Sequence, residues 1–195
     1  MLNIKTLVLG ALQVNCYLVW EEGSDSCAVI DPGDGAQQVL AELDRLGKKL
    51  DAILLTHGHF DHVGAVKELA AATGCRVYMH PADMALPESL TDGELYHTHS
   101  YGEGDRINAG GVEFTVLHTP GHTPGCVCLL AQNQLFTGDT LFAGSCGRTD
   151  LGGDWAQILR SLHRLADMQT NYTVHPGHGS KTTIQEEKMY NPYMR

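Results

Sequence analysis

Four side chains that can bind a metal ion lie within six consecutive residues, in the segment His57-x-His59-x-Asp61-His62. Imidazole nitrogens and carboxylate oxygens are ligands that suit zinc, iron and manganese. The apolar segment 52–55 comes just before them and predicts a buried strand that leads into a turn containing glycine. Side chains on such a turn can converge at the carboxyl end of the strand, where α/β folds usually bind ligands. The segment therefore predicts a metal site.

Three later positions repeat this arrangement, each with a metal-binding side chain beside glycine at the end of a predicted strand. They are His122 in the turn 119–125, Asp139 in the segment 137–141 and His178 in the segment 176–179. Seven ligands exceed the four that one zinc ion prefers, so together they predict two metal ions. A carboxylate can bind both ions at once, whereas a neutral imidazole normally binds one. Asp139 is therefore the candidate bridging ligand.

The elements that must position these residues are predicted from the periodicity of apolar side chains. Strands are expected at 4–9, 15–20, 27–30, 52–55, 76–79, 112–117, 126–131, 135–137 and 172–174. Helices are expected at 36–46, from residue 63 to near Gly74, after a capping Asp154, and at 184–189. The core face of the helix after Asp154 is predicted to comprise Trp155, Ile158, Leu159, Leu162 and Leu165. Residues 85–106 read as an irregular surface loop. Two strand-rich halves, each with helices, indicate two sheets packed face to face with helices outside.

Composition restricts the class of protein. The 195 residues fit one domain, 1–195, and carry a formal net charge of −10. This charge argues against a nucleic-acid partner, although two bound cations would still permit an anionic small-molecule substrate. The six cysteines form no disulfide pattern, and Cys126 and Cys128 are expected in the core. We read no signal peptide and no membrane span, so a cytoplasmic location without a membrane partner is expected; the oligomeric state stays open.

The ligand motifs, in this order and in these turns, resemble those of the metallo-β-lactamase superfamily. The resemblance extends from residues 14–17 and 31–33 to 191–193. It implies an α/β fold, a single-domain αββα sandwich with the metal site at one edge. It also implies that His57, His59 and His122 hold the first metal ion, that Asp61, His62 and His178 hold the second, and that Asp139 is shared. Asp31 would lie beneath the site and orient a ligand loop, or would simply form a turn in Asp-Pro-Gly.

Within this superfamily the chain resembles the small glyoxalase II-like (hydroxyacylglutathione hydrolase-like) branch. The resemblance rests on the carboxylate at Asp139, the histidine at His59 and the segment 142–150. Glyoxalase II enzymes carry a further C-terminal helical region that grips glutathione, which this sequence is expected to lack, and a tyrosine where Ser180 stands. Arg148 occupies the place of a glutathione-binding lysine. It is therefore a candidate substrate-binding residue, with a salt bridge to Asp150 or Asp154 as the alternative.

The resemblance implies hydrolysis of a thioester, such as S-lactoylglutathione, by attack of a metal-bridging hydroxide. Asp61 and Asp139 are the candidate catalytic residues, because Asp61 could position the attacking water while it binds a metal. Zinc is expected at both sites, with iron and manganese open. The alternatives are an iron-dependent persulfide dioxygenase that uses His57, His59, His122 and Asp139, a lactonase or other ester hydrolase, and a non-catalytic metal-binding protein. His97 and His99 could line a substrate entrance or be solvated.

Overall fold

The computed structural model describes residues 1–91 and 93–195, which form two six-stranded sheets, one small hairpin and six α-helices. The strands of the first sheet are β1 (Leu2–Leu9), β2 (Val14–Glu21), β3 (Ser26–Ile30), β4 (Lys49–Leu54), β5 (Arg76–Met79) and β6 (His99–Ser100). Strand β7 (Arg106–Ala109), β8 (Val112–His118), β9 (Val127–Ala131), β10 (Gln134–Gly138), β13 (Thr173–Pro176) and β14 (Thr182–Thr183) form the second. Between β10 and β13 the hairpin β11 (Leu141–Phe142) and β12 (Ser145–Cys146) stands apart.

The two sheets differ in the direction of their strands. In the first sheet the spatial order follows the sequence, with β1, β2 and β3 antiparallel and β3 to β6 parallel. In the second the order is β14-β13-β10-β9-β8-β7, and only β10 and β13 pair in parallel. Parallel neighbours place their carboxyl ends at one edge of a sheet, and this edge is where the candidate ligands follow β4, β10 and β13.

The helices are α1 (Ala36–Leu46), α2 (Phe60–Val63), α3 (Val66–Thr73), α4 (Glu88–Thr91), α5 (Trp155–Ala166) and α6 (Ile184–Tyr190). A 3₁₀-helix at Pro81–Ala85 follows β5. None of the described helices is long and apolar enough to cross a membrane.

Three buried clusters show the layer order. Side chains between the sheets form one core, which contains Phe114, Leu129 and Phe136. A second core joins α1 and α3 to the outer face of the first sheet, and a third joins α5 and α6 to the outer face of the second. The fold is therefore an αββα sandwich in a single domain, as the sequence predicted.

The helix predicted from residue 63 to near Gly74 is α3 in the structure, but it starts three residues later than expected. Helix α2 ends at Val63, and α3 starts at Val66. Gly64 lies so close to the backbone of Gly33 that a Cβ there would approach the Gly33 oxygen within 2.3 Å. The loop before α1 therefore presses against the chain at the point where the two helices meet, a tertiary contact that the apolar periodicity does not reveal.

Two other predictions are wrong. Residues 85–106 are not wholly irregular, since they contain α4 and β6, and Arg106 begins β7; Asp92, within this stretch, lies outside the described residues. Both strands are short and owe their pairing to β5 and β8. Trp155 does not join the core face of α5: it occupies the first position of the helix, is 47% exposed, and meets only the Tyr193 ring edge-on among the described aromatic residues.

Candidate metal centre

The structure brings the seven predicted ligands together at one edge of the sandwich. His57 and His59 lie in the loop between β4 and α2, while Asp61 and His62 belong to α2. The other three follow strands of the second sheet: His122 between β8 and β9, Asp139 directly after β10, and His178 after β13. Both sheets therefore contribute ligands to one place.

The potential ligand atoms form three overlapping groups, and within each group they lie within 4.8 Å of one another. The groups are His57, His59 and His122; His57, His62 and Asp139; and Asp61, His62 and His178. Asp139 reaches both ends of the cluster. Its carboxylate oxygens lie 3.3 Å from His62 Nε2, 3.6 Å from His122 Nε2 and 3.8 Å from His178 Nε2. The arrangement fits a dinuclear metal site with Asp139 between its two halves.

Each of the five imidazoles has one ring nitrogen bonded to a protein group outside the cluster. The pairs are His57 Nδ1 with Thr56 Oγ1, His59 Nε2 with the Leu151 carbonyl, His62 Nδ1 with Asp31 Oδ2, His122 Nδ1 with the Arg148 carbonyl, and His178 Nδ1 with the Leu12 carbonyl. Carbonyl and carboxylate oxygens only accept hydrogen bonds, so the imidazole donates in four of these pairs. Thr56 Oγ1 donates to Asp31 Oδ2, at 2.6 Å, so it accepts from His57. These bonds fix the tautomers and leave one nitrogen lone pair of each ring for a metal ion.

Several of the inward atoms form no hydrogen bond within the protein. Among the described residues, His57 Nε2 and Asp139 Oδ1 are buried and lack a hydrogen-bond partner. His59 Nδ1 and His122 Nε2 lie 2.9 Å apart, although each ring donates its N–H to a carbonyl outside the cluster. Two facing lone pairs at this distance repel each other unless a cation lies beside them. Buried polar atoms of this kind are costly unless a ligand satisfies them, so the residues fit metal ions.

The electrostatics of the cluster favour positive charge near Asp139. Burial lowers the pKa of His57 well below its usual range and that of His122 to about 4, so these rings are neutral and able to bind a metal at neutral pH. Burial acts in the same direction on the pKa of His62, but the carboxylates of Asp139 and Asp31 outweigh it and raise that pKa well above its usual range. Burial likewise opposes ionisation of Asp139, yet His62 and the neighbouring imidazoles lower its pKa to about 2. A metal ion would replace the proton on His62.

Asp31 supports two ligands from beneath the cluster, as one of its two predicted roles requires. Its carboxylate accepts hydrogen bonds from His62 Nδ1 and from Thr56 Oγ1, and the latter in turn holds His57. The Thr56 amide donates to the other oxygen at 2.7 Å. Asp31 also has a positive φ of 51°, so the turn and the orienting role occur together.

Asp83 is a second buried carboxylate that sequence reasoning missed. It lies in the 3₁₀-helix and accepts hydrogen bonds from the Gly58 amide (2.8 Å), the Gly125 amide (2.6 Å) and Thr123 Oγ1 (2.9 Å). Gly58 separates His57 from His59, and Thr123 follows His122. One carboxylate therefore ties together the two loops that carry these three histidines. No local motif marks Asp83, because its partners lie 25 to 42 residues away along the chain.

A cleft of about 480 Å³ opens onto the cluster. Asp61, Asp139 and three of the histidines reach its wall, and so does Arg148. The Arg148 guanidinium makes two hydrogen bonds to the Asp150 carboxylate, which is one of the two arrangements that the sequence left open; an anion contact from Arg148 stays a prediction. His97 and His99 are not among the described residues that line the cleft. Cys126 and Cys128 are buried, as expected.

Comparison with known proteins agrees with this geometry. The family model described as Metallo-beta-lactamase superfamily matches residues 9–178. The Haemophilus influenzae protein named hydroxyacylglutathione hydrolase GloC is 35% identical, over 99% of this chain and 98% of its own. The BLEG-1 B3 metallo-beta-lactamase structure has a TM-score of 0.89 at 36% identity, covering 98% of this chain and 99% of that one. TTHA1623 in a di-iron-bound form has a TM-score of 0.87 at 40% identity, covering 97% and 99%.

Proposed function

The chain belongs to the metallo-beta-lactamase superfamily, and from that premise we propose that it is a dinuclear metal-dependent hydrolase that cleaves a thioester. The observation that carries the proposal is the set of five imidazoles, each with one ring nitrogen bonded outside the cluster and the other facing into a cluster that also contains Asp61 and Asp139. The similarity to a protein named hydroxyacylglutathione hydrolase makes S-lactoylglutathione the first substrate to assay.

The assignment of ligands follows the groups of neighbouring atoms. His57, His59 and His122 would hold one ion, Asp61, His62 and His178 the other, and Asp139 would contact both. Two divalent ions bound there would lower the pKa of a water molecule and polarise the carbonyl of a substrate. We expect zinc, with iron and manganese as the other ions that suit this donor set.

The chain's own side chains have three tasks in this reaction. The ligand histidines and their outward acceptors hold the centre rigid, and the cleft positions the thioester carbonyl beside it. Asp61 lies at the cleft wall, 3.1 Å from His178 Nε2, where its carboxylate can orient the attacking water and accept its proton. Water adds to the carbonyl carbon, and the carbon–sulfur bond then breaks as the carbonyl re-forms. The thiol product needs little acid assistance because an ordinary thiol pKa is about 8.5.

A protein nucleophile is not required and is not supported by the cleft. Cys146 lies in the cleft wall, but burial raises its pKa to about 11, so it is a neutral thiol near pH 7. A thiol in this state is a poor nucleophile. Attack by an activated water is therefore the better-supported reaction.

The test is steady-state hydrolysis of S-D-lactoylglutathione by purified protein whose metal content is assayed in the same sample. We expect turnover at about two metal ions per chain, and a loss of two or more orders of magnitude in kcat/KM for Asp139→Asn. The protein would not be a glyoxalase II if it were fully metallated and inactive. Near wild-type rates for the variant would overturn the bridging role of Asp139.

Iron-dependent oxidation of a persulfide is the second candidate, which would use His57, His59, His122 and Asp139; TTHA1623, at 40% identity and in a di-iron-bound form, supports iron as a metal that a similar centre can hold. Oxygen consumption by the iron-loaded protein with glutathione persulfide would distinguish it from hydrolysis. A small-molecule substrate, without a nucleic-acid or membrane partner, is part of the proposal and fits the net charge of −10. A cytoplasmic location stays a prediction.

A further inference from the structure

The cleft beside the metal centre has an apolar wall. Five large apolar side chains line it: Leu12, Phe60, Leu90, Phe142 and Leu151. They line the same cleft as Asp61, Asp139 and His178, so a molecule whose carbonyl reaches the metal centre through the cleft lies beside this apolar wall. The volume of the cleft, about 480 Å³, falls in the range of small-molecule sites, which is roughly 300–1,000 Å³.

Two of these side chains are about half exposed to solvent. Leu12, in the turn between β1 and β2, is 53% exposed, and Phe60, the first residue of α2, is 45% exposed. Both line the cleft. An isolated exposed apolar residue is ordinary, but apolar residues grouped around a cleft mark a surface that a ligand covers. The residues that flank the reacting group are therefore suited to alkyl or aryl groups.

Charge at the cleft does not favour a polyanionic substrate. Arg148 is the only Lys or Arg among the described lining residues, and the Asp150 carboxylate occupies its guanidinium. Asp61 and Asp139 add negative charge to the wall, and the chain as a whole carries −10. Away from the bound metal ions, the field would repel carboxylates on the distal part of a substrate.

We propose that the substrate is a thioester with an apolar acyl group, and that recognition depends on the apolar wall rather than on anionic groups of the thiol. This inference rests on the proposed hydrolase function and narrows its substrate class. The acyl group is bonded to the reacting carbon and must lie within the cleft, whereas distal polar groups of the thiol can extend into solvent. Water adds to the carbonyl carbon, the carbon–sulfur bond breaks, and the products are a carboxylic acid and a free thiol.

The experiment measures kcat/KM of the metallated protein for two series of thioesters. The first series keeps glutathione as the thiol and changes the acyl group from lactoyl to acetyl, butyryl and hexanoyl. The second carries the same acyl groups on N-acetylcysteamine, which has no charge. We expect kcat/KM to rise about fourfold for each methylene group, the ratio that corresponds to burial of one CH₂. Rates for the two thiols should agree within about tenfold.

Substitutions in the apolar wall test whether it causes the preference for longer acyl chains. Leu12→Ala and Phe60→Ala should flatten the dependence on chain length, and both variants should fold because the two side chains are exposed. Val8→Ala is the matched control, because Val8 is an aliphatic residue that is 61% exposed and is not among the described cleft residues. It should keep the wild-type slope.

The outcomes separate this inference from the proposed function. A preference for lactoylglutathione with no dependence on chain length would overturn the inference and leave thioester hydrolysis intact. A hundredfold preference for glutathione that Arg148→Ala removes would also overturn it, since it would show recognition of an anion. No hydrolysis of any thioester by the metallated protein would overturn the proposed function itself.

Discussion

At the scale of single residues, the centre is organised by hydrogen bonds that point away from it. Each imidazole donates outward, to a carbonyl, a hydroxyl or a carboxylate, and this choice decides which nitrogen faces inward. Asp31 and Asp83 are buried carboxylates that bond to the ligand histidines or to residues next to them, and each supports a different part of the centre. Asp31 holds His57 and His62, which belong to both halves, whereas Asp83 holds the loops of His57, His59 and His122.

Replacing Asp31 with Asn should weaken the binding of both metal ions. The amide nitrogen would replace one of the two acceptor oxygens and face either the Thr56 amide or the donors of Thr56 Oγ1 and His62 Nδ1, so the support that Asp31 gives to the His57 and His62 rings would weaken. We expect metal affinity to fall by about 10- to 100-fold. Metal content after dialysis against buffered zinc measures this. Asp51→Asn is the control, since the Asp51 carboxylate also accepts a hydrogen bond from a backbone amide, that of Gly110, but lies near the opposite end of β4. Equal affinities in the two variants would refute the role of Asp31.

Replacing Asp83 with Asn should weaken the binding of one of the two metal ions, the one assigned to His57, His59 and His122. The amide nitrogen would face the N–H donor of either Gly58 or Gly125, so one of the two ties would be lost and the loops that carry His57, His59 and His122 would no longer be held together, leaving Asp61 and His178 in place. We expect a two-step metal titration in which one step shifts by about 10- to 100-fold. Thr123→Val removes only the hydroxyl contact and should shift this step less. A titration of Asp83→Asn that matches the wild type would show that the carboxylate serves stability alone.

At the scale of elements, β13 and the loop after it approach the centre closely. A Cβ at Gly177 would lie 2.3 Å from Asp139 Oδ1 and 2.7 Å from His62 Cε1. The loop can therefore carry His178 into position only because residue 177 has no side chain.

The Gly177→Ala variant should fold but bind metal poorly, because its methyl group displaces Asp139 or His62. We expect metal content to fall from about two ions per chain to one or fewer, as measured by elemental analysis of the purified protein. Gly102→Ala is a matched control, since its Cβ would come no nearer than 3.8 Å to His80. Two tightly bound ions in Gly177→Ala would contradict the close approach.

His175 makes the β10–β13 pair sensitive to acid. Its ring stacks on Phe136, and burial lowers its pKa to about 4, with the charge of Lys181 acting in the same direction. Because the folded pKa lies below the unfolded value of about 6.5, the unfolded chain binds more protons between these values. The free energy of unfolding therefore falls as the pH is lowered from about 6.5 to 4.

The substitution His175→Phe keeps the stacking and removes the titration. Urea denaturation of the metal-free protein at pH 7 and pH 5 should show a smaller loss of stability on acidification in the variant than in the wild type. Using the metal-free form keeps loss of metal out of the comparison. Identical losses in both proteins would exclude a contribution from His175.

At the scale of the whole molecule, the metal centre joins the two sheets. Four of its candidate ligands follow β4 in the first sheet, and three follow strands of the second. Metal ions bound there would hold the folded state together but have little to bind in the unfolded chain.

Chelation should therefore lower the thermal midpoint. At a free metal concentration 1,000 times the Kd, each ion contributes about 4 kcal/mol, which for a chain of this size corresponds to roughly 8–16 °C per ion. Calorimetry with and without a chelator, followed by addition of zinc, measures the shift. The Asp139→Asn variant should show a smaller shift. An unchanged midpoint would contradict a metal centre that links the sheets.

The sequence predicted the layers and the seven clustered residues well, because both depend on local patterns. Apolar periodicity locates the strands and helices that cover a core, and a dense run such as 57–62 is rare without a shared role. The break at Gly64 and the exposure of Trp155 were not predictable in this way, since each depends on a contact with a distant segment. Asp83 illustrates the same limit, because its importance exists only once Gly58 and Gly125 have come together.

The division of the two sheets along the chain has a consequence for synthesis on the ribosome. All strands of the first sheet lie within residues 2–100, and all strands of the second lie within 106–183. The inner face of the first sheet, with Tyr17, Val19 and Ile30, therefore stays bare until the second half emerges. At about 5–20 residues per second, this takes roughly 5–20 s. During that interval the nascent chain exposes an apolar surface that a chaperone could shield, and the metal centre cannot assemble until Asp139 and His178 have been translated.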